Sequence, residues 1–253
     1  RSHPAGGQRH VQGRGERVKT VNPILNTDSY KPSHWLQLPS DCSSTYLYAG
    51  PRRGVYPSVL WAGFQLILRD TLETPITREH IDEATHLFAA HGVPFNLAGW
   101  EHILKDHYGY MPVHIRALPE GSLLEPNTPA FTIESTDGRV PWVPSYLETA
   151  LLRAWYPSTV ATTSFYIKRV IRQFMLETCD NLDGLPFKLH DFGSRGASSR
   201  QSAGWGGLGH LVNFMGTDTI EALLVARDYY GMHCAGFSIP ASEHGTICAW
   251  GRE

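Results

Sequence analysis

The chain has 253 residues, of which 42% are hydrophobic and 18% are charged, and this mixture is typical of a folded protein. Lysine and arginine number 22 against 24 acidic residues, which gives a formal net charge of −2. This balance excludes a strong basic field for nucleic acid or anionic membranes. We therefore expect partners among small molecules, with neither nucleic acid nor membrane among them.

The cysteine and histidine patterns point to a reducing compartment and to no metal chemistry. The four cysteines show no C-x-x-C spacing, and no apolar run is long enough to span a bilayer. A cytoplasmic location is expected. There is no H-E-x-x-H motif, and His102 and His107 lie five positions apart, so they do not stack as a helical i,i+4 pair. The sequence therefore predicts no metal site.

Residues 1–20 form a basic arm that differs from the rest of the chain. It holds five lysines and arginines against Glu16 alone, with almost no apolar side chains. We expect this arm to be disordered. The first residue is arginine rather than methionine, which favours a processed start, a remnant of cloning or an incomplete gene prediction.

Residues 21–148 alternate short strands with amphipathic helices, which predicts an N-terminal α/β domain. Helices are expected after Ser58 and after Thr77, where apolar residues recur at helical spacing. Strands are predicted at 23–25, 45–48, 113–118 and 130–134, with a polar turn at 26–31.

Two long helices are predicted next. Residues 145–148 (SYLE) have the sequence of a capping box, which predicts a helix from Ser145 to Trp155 that Pro157 ends. A second helix is predicted over 159–179. Its buried face is expected to hold the apolar residues at helical spacing, which are Val160, Ile167, Val170, Ile171 and Phe174.

After residue 185 a strand-like run, a polar turn and a helix recur. The runs are 187–190, 212–215 and 235–239, and each leads into a polar turn. Phe192, Asp218 and His244 are 26 positions apart (218 − 192 and 244 − 218), which is close to the step of a β/α barrel. The fold class predicted is α/β, with the first units of an α/β barrel over residues 149–253. Since barrel enzymes hold their sites in the loops after the strands, chemistry is expected in these turns.

Three β/α units cannot close a barrel, because strand edges would remain unpaired. We therefore expect a truncated barrel whose remainder is missing. The alternative is that these units complete an open sheet with the N-terminal half.

Five motifs in register resemble the nicotinamide phosphoribosyltransferase family. They are NTDSYK at 26–31, LDG at 182–184, KLHDFG at 188–193, NFMGTDT at 213–219 and IPASEHGT at 239–246. The resemblance runs from Val21 to the last residue. It implies a type II phosphoribosyltransferase fold. It also implies a reaction of NAD salvage in which nicotinamide and 5-phosphoribosyl 1-diphosphate give nicotinamide mononucleotide and diphosphate, with Mg²⁺.

The resemblance also implies how the pyridine ring is held. Phe192 matches the aromatic residue that stacks on the ring, and Tyr30 matches a tyrosine that covers its other face from the partner subunit of a homodimer. Asp218 matches the carboxylate that accepts a hydrogen bond from the carboxamide NH₂.

Three further residues match positions near the phosphates. Arg195 and Arg52 match arginines that reach phosphate groups, and a planar guanidinium suits that task because it pairs two oxygens at once. His244 matches a histidine near the diphosphate that is phosphorylated when ATP hydrolysis is coupled to synthesis. The family pattern therefore gives catalytic roles to Asp218 and His244 and substrate-binding roles to all six residues.

The sequence departs from the family in two loops and in its extent. Ser194 stands where the family commonly has an aromatic residue, and Gly50-Pro51 replaces more polar residues before Arg52. Family members continue beyond residue 253 and supply there another arginine, an aspartate and a glycine-rich phosphate loop. We therefore expect this chain alone to be inactive.

Each of these residues also has an ordinary structural interpretation. Phe192 and Tyr30 would be core residues, Arg195 a loop ion pair and Asp218 a helix cap. The glycine run at 204–209 fits neither phosphate-loop pattern and predicts close helix packing.

Two other functions stay open. The first is a nicotinate phosphoribosyltransferase, which Asp218 argues against because its carboxylate would repel that of nicotinate. The second is a non-catalytic dimeric binding protein derived from the family.

Overall fold

The computed structural model describes residues 22–251, so the predicted basic arm lies outside the described residues. Eight helices and seven strands follow one another in this part of the chain. In order, they are β1 (Tyr46–Ala49), β2 (Val59–Leu60), α1 (Phe64–Leu72), α2 (Arg78–His91), α3 (Leu97–Asp106), β3 (Val113–Ala117), β4 (Leu123–Leu124), β5 (Phe131–Ser135), α4 (Val143–Leu151), α5 (Trp155–Thr178), β6 (His190–Asp191), α6 (Arg200–Leu211), β7 (Gly216–Thr217), α7 (Ile220–Tyr230) and α8 (His244–Cys248). None of these helices is long and apolar enough to cross a membrane.

The N-terminal half is built on an antiparallel sheet of order β1-β5-β3, with β2 and β4 as a separate antiparallel pair. In β5, Phe131 and Ile133 are buried because alternate side chains of a strand face the same side. They belong to a core that also contains Trp61 and Trp100, both fully buried. The predicted strands at 45–48, 113–118 and 130–134 are confirmed to within a residue at each end.

Helix α2 is confirmed after Thr77. The Thr77 side chain accepts a hydrogen bond from the His80 N–H, and the His80 side chain accepts one from the Thr77 N–H. Helix α3 was not predicted, although Asn96 caps it through the N–H of Gly99.

Two predictions near the N-terminus are wrong. Residues Pro23–Leu25 form a 3₁₀ turn instead of a strand, because the Asn22 side chain accepts the N–H of Ile24 and proline begins the turn. The helix expected directly after Ser58 begins only at Phe64, since Val59–Leu60 pairs with Leu123–Leu124 as a strand.

The start of α1 is fixed by a distant carboxylate. Glu120 accepts hydrogen bonds from the N–H groups of Gly63 (3.0 Å) and Gln65 (2.6 Å), and the hydroxyl of Tyr230 also donates to it. Gly63 has φ +82°, a conformation that favours glycine. The same carboxylate therefore caps α1 and connects it to the last residue of α7.

The capping box predicted at Ser145 is also wrong. Helix α4 begins two residues earlier, at Val143, and its first turn contains Pro144. Ser145 Oγ instead lies 3.3 Å from His34 Nδ1, and Glu148 pairs with the buried Lys31. Pro157 does not end this helix but lies in the first turn of α5, where proline is tolerated.

The buried face predicted for α5 is corrected by its neighbour, α6. Val170 and Phe174 are more than half exposed, whereas the buried positions are mostly small, as at Ser158 and Ala161. A Cβ on Gly209 of α6 would lie 2.4 Å from the Pro157 carbonyl oxygen. The two helices therefore touch backbone to backbone, and the prediction that glycines 204–209 serve close packing is confirmed.

The C-terminal half holds short parallel segments. Strands β6 and β7 pair in parallel, and Gly216 of β7 makes a parallel bridge to Phe237. The predicted runs at 187–190 and 212–215 are displaced, since Leu185–Phe187 is a 3₁₀ turn and α6 extends to Leu211. The buried His210 donates a hydrogen bond to the Gly216 carbonyl and so ties α6 to β7.

These segments are the first units of an α/β barrel. Within residues 22–251 they form no closed barrel and do not pair with either N-terminal sheet, so the open-sheet alternative is wrong. The division predicted between residues 148 and 149 falls inside α4 and stays a prediction.

Candidate active site

The carboxyl ends of three parallel segments meet at one edge of the C-terminal half. β6, β7 and the bridge residue Phe237 are neighbours in that order. Phe192, Asp218 and Ser238 directly follow these segments, so all three lie at this edge. We name His190, Phe192, Arg195, Asp218 and Ser238 the loop cluster.

The loop after β6 is held by its own strand end. Asp191 Oδ1 accepts the N–H of Gly193 at 2.8 Å, and Asp191 Oδ2 accepts the Thr217 hydroxyl at 3.3 Å. The Asp218 N–H donates to the Asp191 carbonyl at 2.9 Å. These bonds fix the two loops against each other and so position Phe192 beside Asp218.

Ser194, where the family has an aromatic residue, has a definite partner. Its hydroxyl donates to Glu221 Oε2 at 3.1 Å, and Arg200 reaches the other oxygen of Glu221 at 3.3 Å. The first turn of α7 therefore anchors the loop that carries Arg195.

The two oxygens of Asp218 have different surroundings. His190 Nε2 lies 3.1 Å from Oδ1, and the Ser238 hydroxyl donates to the same oxygen. Among the described residues, Oδ2 accepts no hydrogen bond. The bond from Ser238, followed by the bond from His190, holds the pKa of the Asp218 carboxyl below its usual value, with a smaller attraction from Arg195. The side chain is therefore an ionised acceptor with one oxygen free.

Asp218 does not cap α7. The N-cap residue is Thr219, and the Asp218 carboxylate bonds to His190 and Ser238 instead of to a helix N–H. The helix-cap interpretation is therefore wrong.

Phe192 is an exposed ring beside His190. The two ring centroids are 4.5 Å apart, and 54% of Phe192 is accessible. A core residue would be covered, so the core interpretation is wrong for Phe192, and it is also wrong for Tyr30, which is 57% exposed.

Tyr30 and Arg52 lie in the N-terminal half, and within residues 22–251 no hydrogen bond or ring contact connects them to the loop cluster. The Lys31 ammonium lies 5.4 Å from the centroid of the Tyr30 ring, and His34 packs edge-on against that ring at 4.8 Å. Arg52 lines a cavity of about 1160 Å³ between β1, β5, α4 and α5.

His244 begins the five-residue helix α8, which Glu243 caps by accepting the N–H of Thr246. The side chain is exposed and makes no hydrogen bond with the described residues. The structure therefore brings together Phe192, Arg195 and Asp218 from the six predicted residues. Within residues 22–251 no hydrogen bond or ring contact joins Tyr30, Arg52 or His244 to them.

His190 and Ser238 belong to the loop cluster but were not predicted as site residues. His190 stands at the end of a predicted strand run and inside the KLHDFG motif without a role of its own, and Ser238 lies inside the third run. The available signal was positional, since Ser238 follows the third segment as Phe192 and Asp218 follow the first two.

Two family models match the chain. Residues 22–115 match the N-terminal domain of nicotinamide phosphoribosyltransferase, and residues 187–253 match the nicotinate phosphoribosyltransferase family. Human nicotinic acid phosphoribosyltransferase has a similar fold, with a TM-score of 0.53 at 20% identity over 88% of this chain and 40% of that one. In fold and in both matched segments, the chain is similar to phosphoribosyltransferases.

Two curated relatives are similar to most of this chain. A nicotinamide phosphoribosyltransferase of Xanthomonas campestris is 54% identical over 233 residues, which are 92% of this chain and 50% of the relative. One from Acinetobacter baylyi is 30% identical over the same shares of the two chains. The chain thus resembles the N-terminal part of nicotinamide phosphoribosyltransferases and spans about half the length of these relatives.

Proposed function

We propose that this chain supplies the pyridine-binding part of a nicotinamide phosphoribosyltransferase. The reaction joins the ring nitrogen of nicotinamide to C1 of 5-phosphoribosyl 1-diphosphate, and diphosphate leaves. The observation that carries the proposal is the free Oδ2 of ionised Asp218 at the edge where the exposed Phe192 ring lies. An uncharged pyridine stacks on Phe192, and its carboxamide N–H donates to Oδ2.

The charge of Asp218 favours nicotinamide over nicotinate. Nicotinate offers no N–H and brings a second negative charge to a carboxylate whose pKa is already lowered. This is the observation against the nicotinate alternative, although one of the two matching family models bears the nicotinate name.

The phosphate groups need cations as negative charge develops on the leaving diphosphate. Arg195 is the basic residue of the loop cluster, and Arg52 is proposed to reach the phosphates from the partner subunit of a homodimer. Tyr30 is proposed to cover the second face of the pyridine from that same subunit. The separation of Tyr30 and Arg52 from the loop cluster within one chain supports sharing the site between two copies.

Mg²⁺ is proposed to enter the site bound to the diphosphate group of the substrate. Asp191 and Glu221 fit poorly as its ligands, because both oxygens of each carboxylate already accept hydrogen bonds. The free Oδ2 of Asp218 is assigned to the carboxamide of nicotinamide. ATP is proposed as a phosphoryl donor to His244, whose exposed ring has no competing hydrogen bond among the described residues.

We also propose a cytoplasmic location, in line with the free cysteines.

The test compares the ratio of kcat/KM for nicotinamide and nicotinate in the protein that carries this chain and in Asp218→Asn. The amide replaces one anionic oxygen by a donor, so the ratio should move toward nicotinate by on the order of tenfold or more. Asp228→Asn, an exposed aspartate paired with Arg227 on α7, is the matched control and should leave the ratio unchanged.

A ratio that does not move would contradict the assignment of Asp218. A protein that binds both pyridines but turns over neither, with phosphoribosyl diphosphate and Mg²⁺ present, would instead support the non-catalytic binding protein.

A further inference from the structure

Two histidines converge on one carboxylate oxygen, outside the loop cluster. The Nε2 atoms of His102 and His107 each lie 2.7 Å from Asp137 Oδ2. The three atoms lie within 4.8 Å of one another. His102 belongs to α3, His107 follows α3, and Asp137 lies in the turn between β5 and α4, so the cluster joins two elements of the N-terminal half.

The end of α3 explains why the sequence spacing did not predict that His102 and His107 meet. In a continuous helix, residues five apart point about 140° away from each other. Helix α3 ends at Asp106, and His107 has left the helical conformation, with φ −119° and ψ 14°. The two rings are therefore brought to 5.3 Å between centroids, nearly perpendicular.

The second ring nitrogen of His102, Nδ1, has the kind of partner that a metal-binding histidine requires. His102 Nδ1 lies 2.7 Å from Asp106 Oδ2 and donates there, so the opposite nitrogen, Nε2, is the one that faces Asp137 and is available to ligate an ion. Such a carboxylate fixes the tautomer and orientation of a ligating imidazole.

Asp137 is also oriented by a hydrogen bond at the atom that does not face the histidines. Its Oδ1 accepts the backbone N–H of Arg139 at 2.8 Å, which holds Oδ2 toward the two histidines. The side chains of His102 and Asp137 are only 13% and 12% exposed, and His107 is 29% exposed. His102 and Asp137 are thus largely shielded from solvent, and His107 is the most exposed of the three.

We propose that His102 Nε2, His107 Nε2 and Asp137 Oδ2 bind one divalent transition-metal ion of the Zn²⁺ type. Ligands at tetrahedral zinc are about 3.3 Å apart, so each Nε2 must move back from Asp137 by about 0.6 Å. When the ion binds, the hydrogen that each Nε2 directs at Asp137 is released to solvent as a proton, and water takes the fourth position.

The donor set and the local charge decide between metals. Two imidazoles and one carboxylate suit zinc, whereas Mg²⁺ and Ca²⁺ prefer oxygen ligands. Asp106 and Asp137 carry two negative charges, and Arg139 supplies one positive charge from a side chain that is 65% exposed. The guanidinium of Arg139 can move into solvent, and the negative charges of both carboxylates then favour binding of a dication.

The experiment measures Zn²⁺ binding calorimetrically on untagged protein stripped with a chelator, and Co²⁺ binding by visible absorption. We expect one ion per chain and a Co²⁺ spectrum of low coordination number. His102→Gln and His107→Gln keep a side-chain N–H for Asp137 but lose the ligating nitrogen, and each should weaken Zn²⁺ binding by at least about tenfold.

His114→Gln is the matched control, because His114 also faces a carboxylate, Glu134, but has no second histidine there. It should bind Zn²⁺ as the wild type does. Asp106→Asn tests the outer partner and should weaken binding by about 10–100-fold.

Melting midpoints in chelator show whether each variant is folded. The proposal is wrong if the wild type binds no Zn²⁺, or if His102→Gln binds Zn²⁺ as tightly as the wild type does. In either case the three residues form hydrogen bonds with one another and no metal site.

Discussion

Phe192 presents an aromatic face that nothing in the described part of the chain covers. Replacing it with alanine removes the stacking surface but leaves the hydrogen bonds of the loop intact, because these come from Asp191 and Ser194. We predict that Phe192→Ala weakens nicotinamide binding by about 1–3 kcal/mol, by analogy with stacking of nucleic-acid bases on aromatic residues. Equilibrium binding of nicotinamide measures this.

The control for this prediction is Phe174→Ala. Phe174 is 60% exposed on α5, outside the loop cluster, and its loss should leave nicotinamide affinity unchanged. An equal loss of affinity in both variants would mean that general destabilisation, and not stacking, is being measured.

Asp137 makes the metal-free protein sensitive to acid. The backbone N–H of Arg139, followed by His107, holds the pKa of this carboxyl far below its ordinary value of 3.8. A depressed carboxyl pKa adds stability above the unfolded-state value, and that stability is lost as pH falls below it. We predict that Asp137→Asn lowers the free energy of unfolding at pH 7 by about 2–3 kcal/mol.

Urea unfolding between pH 7 and pH 3, with chelator present, measures this difference. The gap between wild type and Asp137→Asn should be constant at neutral pH and shrink below about pH 4. A gap that stays constant over the whole range would show that the charge of Asp137 contributes nothing.

At the scale of elements, the contact between α5 and α6 depends on particular glycines. A Cβ on Gly209 would lie 2.4 Å from a backbone oxygen, whereas one on Gly206 would meet the hydroxyl end of Tyr156, which can move. We predict that Gly209→Ala destabilises the protein by about 1–3 kcal/mol despite the better helix propensity of alanine. Gly206→Ala, the matched change in the same helix, should alter stability by less than about 1 kcal/mol.

Denaturant unfolding of the two variants tests this. Equal effects would mean that α5 and α6 can separate enough to accept a methyl group, contrary to backbone contact.

Elements with local signals could be predicted, and those that depend on distant partners could not. Helix α2 carries its own capping residue and its own apolar period. Helix α1 begins where a distant carboxylate, Glu120, accepts its N–H groups, and no local pattern shows that. The buried face of α5 was misjudged for the same reason, since the glycines of α6 favour small residues over large apolar ones.

The candidate site divides along the same line. The regular β/α spacing predicted that chemistry lies in the turns that hold Phe192 and Asp218, and the resemblance to the family implied the role of each residue. Ser238 donates to Asp218 across two loops, and His102 meets His107 only because α3 stops between them. Sequence position could have placed Ser238 at this edge, but which atoms form hydrogen bonds depends on the folded structure.

At the scale of the whole molecule, the proposed homodimer predicts complementation between inactive variants. If Tyr30 and Phe192 act in one site from opposite subunits, a mixed dimer of Tyr30→Ala and Phe192→Ala chains has one doubly altered site and one intact site. Random mixing of the two chains should therefore restore about one quarter of the wild-type activity.

The test unfolds and refolds the two variants together, each made in the whole protein that carries this chain, and then measures activity. Each variant refolded alone is the control. No recovery above the separately refolded variants would show that both residues serve the same subunit's site, or that Tyr30 serves none.

The docking of α7 on α1 affects the order in which the chain can fold during synthesis. The Gln65 side chain donates a hydrogen bond to the carbonyl of Tyr229, which lies 164 positions later in the chain. Glu120 accepts a hydrogen bond from the hydroxyl of Tyr230, which lies 110 positions after it. At about 5–20 residues per second, a ribosome needs roughly 8–33 s to make the first of these partners after Gln65. Through that interval the nascent N-terminal half has α1 without its partner helix, so the packing of α1 is complete only after α7 (Ile220–Tyr230) has been made.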